Sequence, residues 1–517
     1  MRHARFTALL VGILLAAAPA SAQRGRRWMR STAARTPEAA LAPGVRVTRS
    51  TPADVDGDGT EDALLELERE GTTERALAVA RRQRGRWQVL PTTGTGAELP
   101  AEWVGAFPAG GRIALVARRH VCGNEPCVDV LHVFHLEARA AEAAGNIVGE
   151  RGETLTAVAV DATSAVAQTD RGRSRALALD PSSGSLWLGP WAASPADALR
   201  ARPIALGMDG ELALAGARVG VVGISERGGH VMVATYGPDG APDGPPVDTG
   251  ITFAGWVVHA TPAGDGWSIT LENDHFSEED EDTGSATCES ADLERWSWSP
   301  RGARRVGTLR VGSECDTPSY VASGPWLGLT IDASGVRWIG PGSATIEATP
   351  IGPGGATGAR LVGAGPDGFL VARGDAVTDL TRAGVASTVA PFGDATLRSC
   401  VGTERAWACH VETPAGPRLA VRPHGPRGLP AALHQASFTH LDALPGDRVL
   451  LRHLNTYDGG GHVAVFNVID LASGRVGPAV ELGRGFVEDV VADQDAIYVR
   501  CSTRLHRIPW AIALPAP

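Results

Sequence analysis

From residue 44 onward, apolar and polar positions alternate in short runs, and long stretches of helical periodicity are scarce. Representative runs are Val231–Tyr236, Trp267–Leu271, Val449–His453 and Ile497–Cys501. Such alternation predicts β-strands, because successive side chains on a strand point to opposite faces of the sheet. Ala138–Ala144 is the best helical candidate, and it is short. Many short strands separated by turn signals predict an all-β sandwich, barrel or propeller.

A recurring turn distinguishes between these three architectures. Six predicted strands run into short turns that close on a glycine, at Gly184, Gly240, Gly302, Gly335, Gly384 and Gly474. Two of these hairpins lead into similar segments, Gly244–Gly250 and Gly477–Gly483, which are 233 residues apart (483 − 250). That offset equals four units of about 58 residues or five of about 47, both close to the length of a propeller blade. The sequence therefore predicts a β-propeller of seven or eight four-stranded blades.

The N-terminus has the layout of a signal peptide. Arg2 and Arg5 precede an apolar segment, Phe6–Ala18, and small residues before Gln23 fit a cleavage site. We therefore expect export to the periplasm or the extracellular space. The predicted organisation is a signal peptide at 1–22, a flexible leader at 23–43 and one propeller domain at 44–517, whose first blades lie at about 44–150.

Charge and hydropathy exclude two classes of partner. The formal charge is −10, and it becomes −12 when the two N-terminal arginines are removed (−10 − 2). An acidic chain is not expected to bind nucleic acid or anionic lipid. The N-terminal apolar segment is shorter than the roughly 20 residues that a membrane-spanning helix needs, so membrane insertion is not expected.

Residues 54–62 form an acidic segment, Asp-Val-Asp-Gly-Asp-Gly-Thr-Glu-Asp, between two predicted strands. Asp54, Asp56, Asp58 and Asp62 occupy its positions 1, 3, 5 and 9. Carboxylates this close repel one another unless a cation lies between them. Ca²⁺ prefers several oxygen ligands at about 2.3–2.6 Å. The segment therefore predicts a calcium site that stiffens one blade, and the alternative is a solvated turn.

This segment resembles the calcium loop of FG-GAP (VCBS-type) repeats, which occur in the blades of integrin-alpha-like propellers. The family pattern Asp-x-Asp-x-Asp-Gly-x-x-Asp maps onto Asp54, Asp56, Asp58, Gly59 and Asp62. The resemblance implies that the backbone carbonyl of Thr60 is a further calcium ligand. The motif occurs once in this chain, so the resemblance supports a metal site and a propeller and implies no particular activity.

Seven cysteines in an exported chain favour disulfides. One predicted pair closes a short loop, a second joins two short strands across a turn, and the third follows by elimination. The predicted pairs are Cys122–Cys127, Cys400–Cys409 and Cys288–Cys315, which leaves Cys501 as a buried thiol.

A zinc site made by Cys122, Cys127, His132 and His135 is the alternative for the first cysteine pair. Residues 128–136 are predicted to form a strand, on which positions an odd number apart point to opposite faces. The two histidines would therefore diverge, and this spacing favours the disulfide.

Two functional classes remain open, because the sequence has no Gly-x-Ser-x-Gly, His-Glu-x-x-His or phosphate-binding glycine motif. One is an exported, non-enzymatic binding module that is stabilised by calcium and recognises a protein or a glycan. The other is a propeller enzyme such as a glycoside hydrolase or lyase, with carboxylates from distant blades. An enzyme should place carboxylates or histidines with perturbed pKa values in the central channel, whereas a binder should show an apolar or aromatic rim. The missing motifs favour the binding module.

Overall fold

The computed structural model divides the chain into two compact units, Met1–Pro203 and Ile204–Pro517. It describes residues 28–30, 33–94, 101–122, 127–206, 208–216, 218–224, 229–237, 242–252, 255–276, 288–312, 319–323, 326–332, 335–340, 347–349, 359–373, 376–381, 383, 386–389, 395–424, 432–435, 438–456, 462–501 and 503–516. The predicted signal peptide at 1–22 lies outside these residues, as do the side chains of the predicted pair Cys288–Cys315. The sequence predicted one domain over 44–517, and the structure instead separates two units after Pro203.

The first unit contains thirteen strands among its described residues. They are β1 (Ala33–Ala34), β2 (Val45–Ala53), β3 (Asp62–Arg69), β4 (Arg75–Gln83), β5 (Arg86–Thr93), β6 (Glu102–Pro108), β7 (Ile113–Val121), β8 (Val128–Leu136), β9 (Ala141–Val148), β10 (Leu155–Ala159), β11 (Ala165–Thr169), β12 (Ser174–Leu179) and β13 (Leu186–Leu188). A 3₁₀ helix (Glu38–Ala40) and α1 (Pro195–Arg200) accompany them, and the side chain of Ser194 caps α1 by accepting from the Asp197 N–H.

These strands form three antiparallel meanders, β2–β5, β6–β9 and β10–β13. The outer strands β5 and β9 pair in parallel, and β1 adds to β5. Apolar side chains fill the space between successive meanders, as Leu64 and Leu90 do against Phe134, and Leu131 does against Leu155. Strand β3 is buried on both faces, which explains its nearly continuous apolar sequence.

Two predictions for this unit are wrong. Residues 33–43 are not a flexible leader, because β1 pairs with β5 and the side chains of Ala40 and Leu41 pack into the first core. Ala138–Ala144 does not form a helix, because β9 begins at Ala141 and pairs with β8 and β5. Alanine has the highest intrinsic helix propensity, but propensity is a weak determinant, and strand pairing overrides it here.

The second unit contains the remaining strands. They are β14 (Ile204–Ala205), β15 (Asp209–Ala215), β16 (Arg218–Ile224), β17 (His230–Tyr236), β18 (Val247–Thr252), β19 (Gly255–Ala263), β20 (Gly266–Phe276), β21 (Cys288–Ser299), β22 (Gly302–Gly312), β23 (Ser319–Ser323), β24 (Trp326–Asp332), β25 (Gly335–Ile339), β26 (Glu347–Thr349), β27 (Ala359–Ala364), β28 (Gly368–Arg373), β29 (Ala376–Thr381), β30 (Ala386–Val389), β31 (Thr396–Gly402), β32 (Ala406–Thr413), β33 (Gly416–Pro423), β34 (Ala432–Gln435), β35 (His440–Leu444), β36 (Arg448–Thr456), β37 (His462–Asp470), β38 (Arg475–Val476), β39 (Val480–Arg484), β40 (Asp489–Ala492), β41 (Ala496–Cys501) and β42 (Arg504–Pro509). A short helix, α2 (Trp510–Ala513), follows the last strand.

Within the described residues, the second unit has seven antiparallel sheets of four strand positions each, and two of them, β27–β30 and β31–β34, are joined by a short parallel pairing of β27 with β31. Six follow one another as β15–β18, β19–β22, β23–β26, β27–β30, β31–β34 and β35–β39, with β38 and β39 sharing the fourth position of the last one. The seventh has the order β14-β42-β41-β40, so the first strand of the unit completes the sheet that its last three strands begin. This arrangement is an all-β propeller, as predicted.

The ring is closed by a different strand from the one that the sequence suggested. A single propeller over 44–517 would close by pairing its first strand, Val45–Thr48, with the last strands, but that segment lies in β2 and pairs with β3. The closing strand is β14, in which Ile204 pairs with Leu505. This pairing gives β42, the last strand of the chain, a partner strand from the start of the unit.

Glycines permit the tight turns and close approaches of this fold. Gly184, Gly302 and Gly474 have φ angles of 72°, 134° and 70°, which confirms the predicted hairpin turns. Gly363 on β27 pairs with Cys400 on β31, and a Cβ atom there would lie 2.6 Å from the Cys400 carbonyl oxygen. Only glycine therefore allows these two strands to pair. Among the described residues, the helices are too short to form an apolar membrane crossing.

Candidate functional site

The acidic segment 54–62 forms the loop between β2 and β3 of the first unit. Carboxylate oxygens of Asp54, Asp56 and Asp58 lie within 4.8 Å of one another, so the structure brings these three predicted ligands together. Arg81 lies beside them, with its Nη1 atom 3.6 Å from Oδ2 of Asp56. Oxygen atoms at this spacing suit a hard cation such as Ca²⁺.

Backbone N–H groups of the loop hold these carboxylates in place. Gly57 donates to Oδ1 of Asp54 (2.7 Å), and Gly59 donates to Oδ2 of Asp54 (3.0 Å). The Thr60 N–H donates to Oδ1 of Asp58 (2.7 Å), and this bond holds the pKa of Asp58 below its ordinary value. The loop therefore favours ionised carboxylates.

Asp62 lies apart from the other three carboxylates. It is 2% exposed, and its two oxygens accept from the N–H groups of Val55 (3.2 Å) and Arg82 (2.6 Å). Burial raises the pKa of Asp62. Its side chain ties the loop to β4, and the carboxylate cluster contains only the three aspartates that precede it.

The structure brings two of the three predicted cysteine pairs to bonding distance. Cys122 bonds to Cys127 between β7 and β8, and Cys400 bonds to Cys409 across β31 and β32. Cys501 is a free thiol that is fully buried in β41, and burial raises its pKa to about 12. This thiol is therefore protonated and inert at neutral pH.

The zinc alternative finds no support in the described residues. His120 is the histidine that lies near the sulfur atoms of Cys122 and Cys127, and those atoms form the disulfide. His132 is instead hydrogen-bonded to Asn146 (2.8 Å), and His135 lies 3.1 Å from Glu137. The predicted zinc ligands are therefore not gathered at one point.

The second unit contains a central channel whose lining residues the sequence did not reveal. It is a cavity of about 690 Å³, lined by residues on β15, β19, β23, β27, β31, β35 and β40. These are the first strands of the seven sheets, so every sheet contributes to the wall. The volume falls within the range of about 300–1,000 Å³ that small-molecule sites occupy.

One side of the channel carries a pair of carboxyl groups. Glu211 on β15 is hydrogen-bonded to Asp489 on β40, and Asp489 also accepts from the Leu212 N–H and from the Val490 N–H (2.8 Å). Burial and the neighbouring Asp489 raise the pKa of Glu211 to about 8, and burial also raises the pKa of Asp489. Because Asp489 accepts two backbone bonds, we assign the shared proton to Glu211.

Two ion pairs support this wall. Arg452 on β36 forms a two-point contact with Asp442 on β35 and donates to the Val487 and Glu488 carbonyls (2.9 and 2.8 Å). Arg500 on β41 donates to the Glu488 carboxylate (2.6 Å). Both arginines lie close enough to Glu211 to oppose the rise in its pKa.

The opposite side of the channel is mainly aliphatic, with Ser399 on β31 as a polar residue among its lining. Val321 on β23, Val362 and Ala364 on β27 and Val401 on β31 line it. Phe, Tyr and Trp do not occur among the described lining residues. The channel is therefore a cavity with one carboxyl-bearing wall and one aliphatic wall.

Sequence reasoning missed Glu211, Asp489 and Asp442 because no local signal marks them. They lie on three separate first strands, and the bond between Leu212 and Asp489 joins positions 277 residues apart.

The second unit is a β-propeller whose ring is closed by β14. No family model and no curated protein sequence matches the chain, so the resemblance of residues 54–62 to the FG-GAP loop rests on that motif alone. Several solved structures are similar to it, all with low TM-scores.

Apo AztD from Citrobacter koseri is 14% identical with a TM-score of 0.29, covering 71% of this chain and 94% of that chain. BamB from Moraxella catarrhalis is 13% identical with a TM-score of 0.26, covering 73% and 95%. Prolyl oligopeptidase B from Galerina marginata is 10% identical with a TM-score of 0.26, covering 83% and 55%. Similarity this low supports no inference about function, and the propeller assignment rests on the sheets described above.

Proposed function

We propose that the protein is an exported binding propeller whose ligand site is the central channel of the second unit. The observation that carries this proposal is the cavity of about 690 Å³, with converging polar groups on one wall and aliphatic groups on the other. A concave, largely apolar cavity with a few placed polar groups is the usual form of a ligand site. Its volume suits a small molecule, or the end of a glycan or peptide.

Export is supported by two features of the chain. The N-terminal segment has the charge and hydropathy of a signal peptide. Two disulfides also join cysteines in the described residues, and disulfides persist in oxidising compartments. The periplasm and the extracellular space both meet this condition.

The acidic loop has a supporting role in this proposal. Asp54, Asp56 and Asp58 would hold Ca²⁺ through carboxylate oxygens, and the FG-GAP resemblance adds the Thr60 carbonyl. The ion would stabilise the loop between β2 and β3 in the first unit. It would have no chemical role there, because the ligands lie on an exposed turn.

A propeller enzyme is the second candidate, and the Glu211–Asp489 pair favours it. Two carboxyl groups with different protonation states can act as acid and base. Their mutual hydrogen bond places them closer together than the roughly 5 Å that separates the two carboxyl groups of a retaining glycosidase. A pair that shares a proton therefore fits other acid–base chemistry, such as hydrolysis of a different bond or proton abstraction, better than cleavage of a glycosidic bond.

The channel proposal is tested with a substitution that fills the cavity. A diverse small-molecule library is screened by ligand-observed NMR against the native protein and the Ala322→Trp variant, whose new side chain would occupy the channel. The control is Ala415→Trp, on an exposed hairpin between β32 and β33. We expect hits that bind the native and control proteins and are lost in Ala322→Trp. Hits that persist in Ala322→Trp, or a screen without hits, would contradict the proposal.

The same library separates binder from enzyme. Each channel ligand is incubated with the protein and examined by mass spectrometry for conversion. A binder returns the ligand unchanged. Turnover that Glu211→Gln abolishes, and that the control variant keeps, would establish the enzyme instead.

A further inference from the structure

We propose that the central channel takes an organic cation, a guanidinium or ammonium group on an aliphatic body, which displaces the proton held between Glu211 and Asp489. This inference rests on the proposed function, because it requires the channel to bind a ligand. It specifies the chemistry of that ligand and the proton that binding releases.

The charges around the carboxyl pair leave room for one more cation. Three carboxyl groups line this wall, those of Glu211, Asp442 and Asp489, and a fourth, that of Glu488 in the residue before β40, pairs with Arg500. Two guanidinium groups face it, and each is committed to its own ion pair: Arg452 with Asp442, and Arg500 with Glu488. The proton on Glu211 neutralises a third carboxyl group, so one negative charge remains uncompensated. Once that proton leaves, the pair carries two negative charges, and a bound cation would compensate one of them while it lies against both carboxylates.

The hydrogen bonds of the pair suit such an exchange. The protonated Glu211 donates to Asp489, whose remaining bonds come from the backbone N–H groups of Leu212 and Val490. A guanidinium group could donate to both carboxylates, because its N–H groups match carboxylate geometry. The proton passes to bulk water, and no covalent bond forms or breaks. Asp489 would therefore still accept three hydrogen bonds after the exchange, because an N–H group of the cation replaces the Glu211 donor.

The other titratable groups on this side do not oppose a cation. His440 on β35 lines the channel, and burial together with the nearby Arg452 lowers its pKa, so it is neutral at pH 7. His259 on the neighbouring strand β19 also lines the channel. The arginines Arg452 and Arg500 repel a cation, but their carboxylate partners offset that repulsion.

The facing wall indicates what the cation is attached to. Val321, Val362 and Ala364 offer aliphatic surface opposite the carboxyl pair, and Phe, Tyr and Trp do not occur among the described lining residues. Aromatic cages recognise quaternary ammonium groups through cation–π contacts. A channel without them favours a cation with N–H donors and an alkyl chain.

The test uses two probes of nearly the same shape. n-Butylguanidinium is charged at every pH of interest, and n-butylurea is its neutral counterpart. Both are titrated calorimetrically into the full chain between pH 6 and pH 9, in buffers of different ionisation enthalpy so that proton release is counted. We expect the dissociation constant of n-butylguanidinium to fall up to about a hundredfold over this range, with close to one proton released at pH 7. We expect n-butylurea to bind weakly and without pH dependence.

Two variants assign the effect to the pair. Glu211→Gln keeps the hydrogen-bond donor and removes the titrating group, so the pH dependence should disappear and the cation should bind at least tenfold more weakly at pH 9. Asp265→Asn removes an exposed carboxylate from the turn between β19 and β20 and should change neither. Circular dichroism checks that both variants fold. If Glu211→Gln does not fold, Asp489→Asn replaces it in the same titrations.

The outcomes separate this inference from the proposed function. If n-butylurea binds as tightly as the cation, or if the cation binds Glu211→Gln with an unchanged pH profile, the cation inference is wrong. The channel proposal survives either result when Ala322→Trp abolishes binding. If neither probe binds, the cation inference is wrong, and the library screen against Ala322→Trp then decides the channel proposal separately.

Discussion

The acidic loop of the first unit and the channel wall of the second both gather carboxylates, but they stabilise different protonation states. In the loop, the donors are backbone N–H groups two to five residues away from the side chain that accepts. The loop is exposed at Asp58, and the Thr60 N–H lowers the pKa of that residue. Ionised carboxylates that converge in water leave their charge to be neutralised by a cation such as Ca²⁺.

In the channel, burial decides the protonation state. Glu211 and Asp489 come from different strands, and burial raises the pKa values of both. The pair therefore retains a proton, whereas the pKa of Asp58 in the loop lies below its ordinary value. The same residue types thus form a candidate metal site where water and backbone donors reach them, and a proton-holding pair where they do not.

The largest expected effect is a loss of stability in the second unit, and not in the first, when the last strands of the ring are deleted. Deleting the chain from Ala496 onward removes β41 and β42, including the fully buried side chains of Ile497, Leu505 and Ile508. Each buried side chain contributes about 1.5–3 kcal/mol, and a domain is stable by only about 5–15 kcal/mol. We expect the described residues between 204 and 495 to lose hydrogen-exchange protection, measured by mass spectrometry, while residues 33–94 keep theirs.

Deleting Pro515–Pro517 is the matched control for this truncation, because Pro515 and Ala516 are exposed. It should leave protection unchanged in both regions. Unchanged protection in the longer deletion would show that β14 does not need its partner strand and that the ring is not held by this pairing.

The second prediction concerns the pH dependence of stability in the channel. Glu211 has an ordinary pKa of 4.5, and its pKa in the folded protein is about 8. The folded state therefore holds more protons than the unfolded state between these values, and stability falls as the pH rises from 4.5 to 8. Glu211→Gln has no group that titrates at this position, so its free energy of unfolding should not fall in this way. We therefore expect the stability of the variant relative to the native protein to rise by roughly 3–5 kcal/mol between pH 5 and pH 8.

Urea unfolding of the native protein, Glu211→Gln and the exposed control Asp265→Asn at both pH values measures this difference. The control should follow the native protein. If Glu211→Gln keeps the same pH dependence as the native protein, the proton does not lie on this pair.

The strand pattern could be predicted from the sequence because its signals are local. Alternation located the strands, and the glycine turns at Gly184, Gly302 and Gly474 have the expected positive φ angles. The similar segments 244–250 and 477–483 include the starts of β18 and β39, which are fourth strands of sheets five positions apart. The offset of 233 residues therefore represents five units of about 47 residues.

The ring closure, the unit boundary and the blade count could not be predicted in the same way. The closing strand is only Ile204–Ala205, which is too short to show alternation. Seven or eight blades were predicted for the whole chain, whereas the described residues form three meanders in the first unit and seven sheets in the second. Nothing in the spacing of turns marks the boundary after Pro203.

The two candidate sites also differ in whether local sequence spacing reveals them. Asp54, Asp56 and Asp58 meet within five residues, so spacing alone brings them together. Glu211 and Asp489 meet only because the ring brings the first and last sheets side by side. A site assembled by closure of the fold has no local pattern from which it could be found.

The third prediction tests calcium at the loop. A ligand that binds only the folded state stabilises it by about 2.7 kcal/mol at a hundredfold excess over its dissociation constant. We expect added calcium to raise the melting temperature of the native protein, and chelator to reverse this change. Asp56→Asn should weaken the effect, whereas Asp161→Asn, in an exposed turn after β10, should not. A melting temperature that responds to neither calcium nor chelator would leave the loop as a solvated turn.

The smallest predicted effect separates the structural role of Asp62 from a ligand role. Its carboxylate accepts from the N–H groups of Val55 and Arg82, and its side chain is buried. Asn at this position keeps one acceptor and leaves one buried N–H group without a partner, which costs about 1–2 kcal/mol. We expect Asp62→Asn to lose this amount in the presence of chelator as well as calcium, because the lost bond does not involve the ion. Asp58→Asn is the contrasting variant and should lose stability mainly when calcium is present. Chemical denaturation under both conditions gives the two differences, and an Asp62→Asn defect confined to the calcium condition would assign this residue to the metal instead.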